Sequence, residues 1–368
     1  MTKKIKSFLL ILLCLVLGGN FLLTAGAENE KIYSGVLCIS HRGDTAVYES
    51  NSQDAVLSAF EKGADFVSVN IRKTNDGELV LCDENADEIN GITLKEMLSM
   101  LGEDNVLILD FDDGLKDEIY SIIESEKAVS SVILRINDNT ENITKWLDGK
   151  DEHLQVVGVY DSFVVFSAVN HVKKLSTKGM ELVQYQSKNY FNEMFGSMVS
   201  EELFVKGTAK AVAASYDPDL CGQRSDSEDG WNDLIKRGFS VIETNNLNAF
   251  ISYKKANENA RLELSDVFEK AKAVDTEKYN TASRENLTDA IEMADILLKR
   301  DFASSDELQS SCSKLILAME NLALRTEEDA QKGALNITAG KVIASVLVGL
   351  AILAAQIYTY KMQKCKKK

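Results

Sequence analysis

Eight short apolar runs, each separated from the next by an amphipathic stretch, leave this chain of 368 residues few folds to choose from. The runs are Val36–Ser40, Asp65–Asn70, Val106–Phe111, Ser131–Ile136, Leu154–Tyr160, Met180–Gln186, Ala211–Tyr216 and Ser240–Thr244. They are rich in β-branched residues and do not alternate, as strands buried on both faces do not. Between them lie helical patterns such as Ser52–Lys62 and Leu115–Ser125. Eight strand–helix units within ~220 residues predict an α/β fold of the TIM (β/α)₈ barrel type, which ordinarily takes ~250. One piece is extra. Asn75-Asp76-Gly77 is a tight-turn signal and Glu78–Cys82 returns from it, so a hairpin extends the second strand.

After Lys255 the strand pattern stops and helical periodicity takes over three times. The apolar sets are Leu264, Val267, Phe268 and Ala271; then Leu287, Ala290, Ile291, Ala294 and Leu297; then Leu308, Cys312, Leu315, Met319 and Leu322. Ser283 and Ser304/Ser305 are N-cap candidates, the latter with Glu307 placed for a capping box. Polar breaks at Thr276–Ser283 and Arg300–Ser305 favour a three-helix bundle over a continuous stalk helix.

The ends of the chain point to export and anchoring. Lys3, Lys4 and Lys6 precede an apolar run from Phe8 to Leu17, and Ala25-Gly26-Ala27 offers a cleavage site of the Ala-x-Ala kind, so residues 1–27 read as a signal peptide, with an uncleaved anchor helix as the alternative. Val342–Tyr360 carries no charged residue, is long enough to span a bilayer core, and ends in Tyr358 and Tyr360 before a lysine-rich tail. The expected order is signal peptide 1–27, barrel 28–255, helical module 256–325, linker 326–336, transmembrane helix 337–360 and a basic cytoplasmic tail 361–368. Such a protein sits in the cell membrane as a single-pass chain with its domains outside.

All 57 acidic residues but only 32 of the 41 basic ones lie between Glu28 and Asn336, a net charge of −25. That surface repels nucleic acid and anionic headgroups. The chain has 3 histidines and 6 cysteines. Cys38, Cys82, Cys221 and Cys312 show no metal-ligand spacing and read mostly as structural thiols, with a disulfide left open.

The strongest chemical signal is Ser40-His41-Arg42-Gly43 at the end of the first run, the end at which barrels carry their active sites. A His-Arg pair there suits proton transfer and anion contact; a structural histidine is the bland alternative. Around it stand Asn51-Ser52, Gly63-Ala64-Asp65-Phe66-Val67, Thr74-Asn75-Asp76-Gly77-Glu78-Leu79-Val80, Gly91-Ile92-Thr93-Leu94-Lys95-Glu96-Met97-Leu98 and, near the end of the barrel, Val241-Ile242-Glu243-Thr244-Asn245-Asn246. In this order and spacing the chain resembles the glycerophosphodiester phosphodiesterase family, most closely over residues 37–112. The resemblance implies a metal-dependent phosphoric diester hydrolase of lipid metabolism, with two histidines sharing acid and base work and a Glu-x-Asp pair plus a third-strand Glu holding Mg²⁺ or Ca²⁺.

The chain departs from that pattern at the metal. Ser68 and Asn70 stand in place of the Glu and Asp ligands, and Cys82, followed by the expected Asp83, stands in place of the second histidine. Asp110 is a shortened third ligand, with Asp112 where a lysine is usual. Ser50 replaces a motif Glu beside Glu49. His41 and Arg42 are retained. The loss of two anionic ligands predicts weak divalent binding, so no cofactor is expected and hydrolysis is expected to be lost or weak. Tyr279-Asn280-Thr281-Ala282-Ser283, Leu287-Thr288-Asp289-Ala290-Ile291, Ala294 and Leu315 to Leu322 resemble a FIVAR module, an accessory unit of Gram-positive surface proteins. The resemblance implies either a spacer or a binder of cell-wall or host glycans. Three functions follow: a pseudoenzyme that binds a phosphodiester or polyol at the barrel mouth or acts as a scaffold, a weak or altered phosphodiesterase, or a structural surface protein that uses its helical module.

Overall fold

The computed structural model describes residues 35–138, 140–160, 182–185 and 210–326. The expected signal peptide, the transmembrane helix, the basic tail and nearly all of the linker lie outside these residues. Among the described residues no helix is long and apolar enough to cross a membrane.

Nine strands form one sheet: β1 (Leu37–His41), β2 (Phe66–Lys73), β3 (Leu79–Leu81), β4 (Leu107–Phe111), β5 (Val132–Ile136), β6 (Gln155–Tyr160), β7 (Leu182–Tyr185), β8 (Lys210–Ala214) and β9 (Phe239–Thr244). Eight of them pair in parallel, and β1 bonds both β2 and β9, so the ring closes. All eight coincide with the apolar runs of the sequence. β3 is the antiparallel exception, pairing with β2 from Ile71↔Leu81 to Lys73↔Leu79. Its turn lies where Asn75-Asp76-Gly77 places it: Gly77 takes φ 93° and its N–H donates to the Thr74 carbonyl at 3.0 Å. Cys82 N–H donates to the Asn70 carbonyl and prolongs the ladder by one residue.

The helices α1 (Gln53–Lys62), α2 (Leu94–Met100), α3 (Lys116–Ser125), α4 (Thr140–Leu147), α5 (Pro218–Cys221) and α6 (Glu228–Lys236) lie between strands. Ser52 caps α1 through the Ala55 N–H, and Thr93 with Glu96 forms a capping box on α2, satisfying donors that a helix start leaves orphaned. The apolar faces of these helices join the outward-pointing strand residues in one continuous core, including Val67, Leu109, Leu134, Ala213 and Trp231.

The closing helix of the barrel does not end with the barrel. α7 runs unbroken from Leu247 to Lys272. Its first turns bury Leu247, Phe250, Ile251 and Tyr253 in the barrel core, while Ala260, Leu264, Val267, Phe268 and Ala271 belong to a second apolar cluster. That cluster is completed by α8 (Thr281–Lys299) and α9 (Ser305–Glu320), through Leu287, Ala294, Leu297, Leu308, Cys312 and Leu315. At the junction the buried Asn257 amide donates to the Ala303 carbonyl at 2.9 Å, and the Tyr253 hydroxyl donates to Asn232 at 2.9 Å. Ser304 and Glu307 form the expected capping box. Ser283 is not the cap of α8. Asn280 is, because its extended backbone lets its side chain accept from the Ser283 N–H at 2.9 Å, and Ser283 itself is buried.

The four described cysteines are free thiols, so no disulfide joins them. Burial, aided by the nearby Asp65, holds the Cys38 thiol well above its usual range, and burial does the same to Cys221.

Candidate functional site

The C-terminal ends of the parallel strands surround a cavity of about 830 Å³, lined among others by His41, Arg42, Asn70, Arg72, Asp110, Arg135, Gln184 and Tyr216. Its floor is a charged cluster in which Arg135, absent from the sequence motifs, joins Asp110 and Glu243. Arg135, on the fourth strand of the ring, donates to both oxygens of Asp110 at 3.0 and 2.9 Å and to Glu243 Oε2 at 2.9 Å. The Ser68 hydroxyl donates to Glu243 Oε1 at 2.6 Å. The Arg135 and Glu243 side chains are 8 % and 0 % exposed, so the pair is essentially dry. Ser68, Arg135, Gln184 and Glu243 come from the second, fourth, sixth and eighth strands of the ring and are all buried. Barrel interiors are layered by alternate strands in this way, usually with branched apolar residues. Here one layer is polar.

Two carboxylates share one guanidinium, and their acidities separate accordingly. Burial opposes the charge on Glu243, but Arg135, His41 and the Ser68 hydroxyl outweigh it and hold that carboxyl below its ordinary range. Burial dominates at Asp110, where the nearby Glu243 charge adds to it, and raises that carboxyl to about 6 against the pull of Arg135. The arrangement is a charged clasp with one strongly ionised member and one that titrates more easily.

His41 ends β1. Its Nδ1 lies 2.8 Å from Asn245 Oδ1, an acceptor, so the neutral ring carries its proton on Nδ1 and presents Nε2. Tyr216 stacks on the imidazole with centroids 3.6 Å apart and planes 8° from parallel. Burial lowers the His41 pKa from its usual value, although Glu243 and Asn245 pull it upward. The shift favours the neutral ring, whose acceptor nitrogen is Nε2.

The turn after His41 is built on special backbone. Arg42 and Gly43 take φ of 62° and 92°, and a Cβ on Gly43 would lie 2.6 Å from the Ala55 backbone. This geometry turns Arg42 toward the hairpin, where Nη1 donates to Asp83 Oδ1 at 2.8 Å. Asn51 also donates to Asp83 Oδ1, at 2.6 Å, and Ser50 donates to Oδ2. Asp83 is thus a hub that ties the first strand's turn to the end of the hairpin. Ser50, where the family motif has a Glu, fits this hub as a hydroxyl donor.

The residues that the resemblance sets at ligand and second-histidine positions do not converge. Ser68 is at the floor, bonded to Glu243. Asn70 lines the cavity, and its Oδ1 is buried without a partner. Cys82 is 5 % exposed, and its thiol faces the carbonyls of Asp83 and Glu88 at 3.7 Å rather than the cavity. Asp112 spends Oδ1 on the Gly114 N–H at 2.9 Å, capping a short 3₁₀ turn.

A divalent cation of the Mg²⁺ or Ca²⁺ kind needs several oxygen ligands, most of them anionic. These residues do not fit one. Asp110 and Glu243 already bind a permanent cation, Arg135, and the Ser68 hydroxyl points its proton at Glu243. Among the described residues no group of three His, Cys, Asp or Glu side chains is placed to hold a metal.

The apolar runs contain Arg135, Gln184 and Tyr216 without marking them as site residues, and Glu243 stands there only as part of a strand motif. A signal existed: an Arg in Val132-Ile133-Leu134-Arg135-Ile136 and a Glu in Val241-Ile242-Glu243 interrupt strands that are otherwise apolar. A charge at such a position needs a buried partner.

No family model matches the chain and no curated protein matches it. Solved structures do. A glycerophosphodiester phosphodiesterase from Thermotoga maritima is 19 % identical, with a TM-score of 0.44, covering 60 % of this chain and 99 % of that one. A glycerophosphoryl diester phosphodiesterase from Parabacteroides distasonis is 13 % identical, with a TM-score of 0.45, covering 61 % and 87 %. A putative glycerophosphodiester phosphodiesterase from Galdieria sulphuraria is 12 % identical, with a TM-score of 0.44, covering 61 % and 100 %.

Proposed function

We propose that this protein is a catalytically degenerate, phosphodiesterase-like barrel that binds a small ligand at its mouth without hydrolysing it. The observation that carries the reading is the clasp of Arg135 by Asp110 and Glu243. Asp110 matches the third metal ligand of the motif pattern, and here it is spent on a guanidinium. The cation needed to neutralise a phosphoryl group and orient attack on it is therefore replaced by one that cannot exchange or accept a ligand's lone pair. A neutral His41 remains, but a general base alone supplies only part of the chemistry.

In the same reading the chain is exported, anchored by residues 337–360, and the helices beyond the barrel raise it from the membrane. The supports for this are the apolar stretch, its basic tail and the acidity of the segment between the ends.

The test is hydrolysis of glycerophosphocholine by the full-length chain with Mg²⁺, Ca²⁺ or Mn²⁺. The expected result is no turnover above that of His41→Ala. Metal-dependent turnover that His41→Ala abolishes would overturn the proposal.

A further inference from the structure

We infer that the ligand of the barrel mouth is an uncharged polyhydroxy compound, a sugar or alditol, and not a phosphate ester. This inference rests on the binding reading just proposed and adds the chemical class of what is bound.

The first argument is charge. An anion bound in a cleft needs a cation that is not already neutralised. Arg135 is held between two carboxylates. Arg42 is paired with Asp83 at 2.8 Å and approaches Glu84 at 3.5 Å. Lys73 is paired with Glu118 at 2.8 Å. Arg72 gives Nη1 to the carbonyls of Asp83 and Ala86 and helps shape the hairpin end. Asp112 and Asp217 also face the cavity. Among the described residues, the carboxylates on and directly behind the wall outnumber the cations. Among the described cations of the wall only Arg72 lacks a carboxylate partner, so a phosphate would meet a predominantly negative field.

The second argument is the unpaired hydrogen-bonding inventory, which is of both kinds. Gln184 is 3 % exposed, lines the cavity, and has no partner for Oε1. Asn70 Oδ1 is likewise unpartnered. These are two acceptors waiting for donors. Arg135 Nε and Arg42 Nε are buried donors without acceptors. A buried polar atom left unpaired costs free energy, so it marks a place where something else completes the bond. A fully ionised phosphoryl group has acceptors only, so placed here it would leave the two amide oxygens without a donor. A hydroxyl both donates and accepts, and adjacent hydroxyls on one carbon chain can satisfy amide oxygens and N–H groups together. The stacked Tyr216–His41 pair adds a flat apolar surface at the same mouth, suited to the C–H face of a sugar ring.

The experiment is saturation-transfer NMR on the full-length chain, with glycerol, xylitol, glucose and N-acetylglucosamine as neutral probes. Glycerol 3-phosphate, glucose 6-phosphate and inorganic phosphate are the charged ones. At least one neutral probe is expected to bind, and its phosphate ester is expected to bind more weakly. Gln184→Met and Asn70→Ala remove the acceptor oxygens, the second while keeping the Asn70 backbone bond to Asn51. Each is expected to weaken the neutral probe about tenfold, with an unchanged melting temperature showing that the fold survives. Tighter binding of the phosphate esters, or no binding of any neutral probe, overturns the inference. Binding of a phosphodiester without cleavage would overturn this inference alone, whereas cleavage would overturn the functional reading beneath it.

Discussion

Two arginines hold carboxylates at the mouth of this barrel, one at its floor and one at its rim, and they are built for different ends. At the floor, Arg135 is 8 % exposed and its partner Glu243 is sealed. At the rim, Arg42 is 22 % exposed and Asp83 35 %. The floor pair lies where water cannot compensate either charge, so neither member can be removed alone without leaving an uncompensated ion. The rim pair is a positioning device. Asp83 gathers Arg42, Ser50 and Asn51 and joins two loops, and solvent shares the load. The same chemistry therefore makes the floor costly to break and leaves the rim adjustable.

Breaking the floor is the largest test of that difference. Arg135→Ala strands Asp110 and Glu243 and is expected to cost about 3–5 kcal/mol in urea unfolding. Replacing the whole clasp with Arg135→Met, Asp110→Leu and Glu243→Leu is expected to recover most of that loss, because apolar residues of similar volume carry no desolvation cost. If the single and triple variants were equally unstable, the floor would owe its stability to packing and not to paired charge.

At the rim, Asp83→Ala is expected to cost about 1–2 kcal/mol by the same measurement, the scale of a few hydrogen bonds on a partly solvated carboxylate. The loss should shrink at high salt, which screens the Arg42 contribution. A salt-independent loss as large as that of Arg135→Ala would erase the distinction between floor and rim.

The smallest effect is pH dependence, because two contributions oppose each other. The folded Asp110 pKa, about 6, is raised above the unfolded value of ~3.9. Its contribution is fully present below the unfolded value and is lost as pH rises through about 6. His41 is lowered, so the unfolded chain takes its proton first, and stability falls as pH drops below ~6.5. Between pH 5 and 7, Asp110→Asn should therefore make stability rise more steeply with pH, and His41→Gln should flatten or reverse that rise. Unfolding titrations across this range read both slopes, and changes of the same sign would contradict the assignments.

The barrel is largely legible in the sequence. Eight apolar runs became eight parallel strands, and Asn75-Asp76-Gly77 became the hairpin turn, because strand burial on both faces and turn chemistry are local properties. The cap of α8 was misplaced by three residues, from Asn280 to Ser283, since both are good capping residues and only the backbone at Asn280 leaves the helix. The site was legible in half. Motif spacing points to His41, Arg42, Asn70 and Asp110, which line one cavity, and to Ser68 beneath it, but it puts Cys82 at the mouth, whereas the fold turns that thiol toward its own loop carbonyls. It did not find Arg135, whose meaning depends on partners 25 and 108 residues away.

The amino-acid sequence by itself determined the ring of strands, the hairpin, the apolar periodicity of the three helices and the absence of carboxylates at residues 68 and 70. Those follow from periodicity and residue chemistry, which act over a few positions. Only the tertiary structure decided what surrounds Ser68 at the barrel floor. Closing the ring brings the second, third, fourth and eighth strands together, and a guanidinium, two acids and a serine hydroxyl there bond one another, with Glu243 sealed from water. The neutralisation of a buried charge depends on which atoms lie within hydrogen-bond distance, and that distance is set by closure of the barrel.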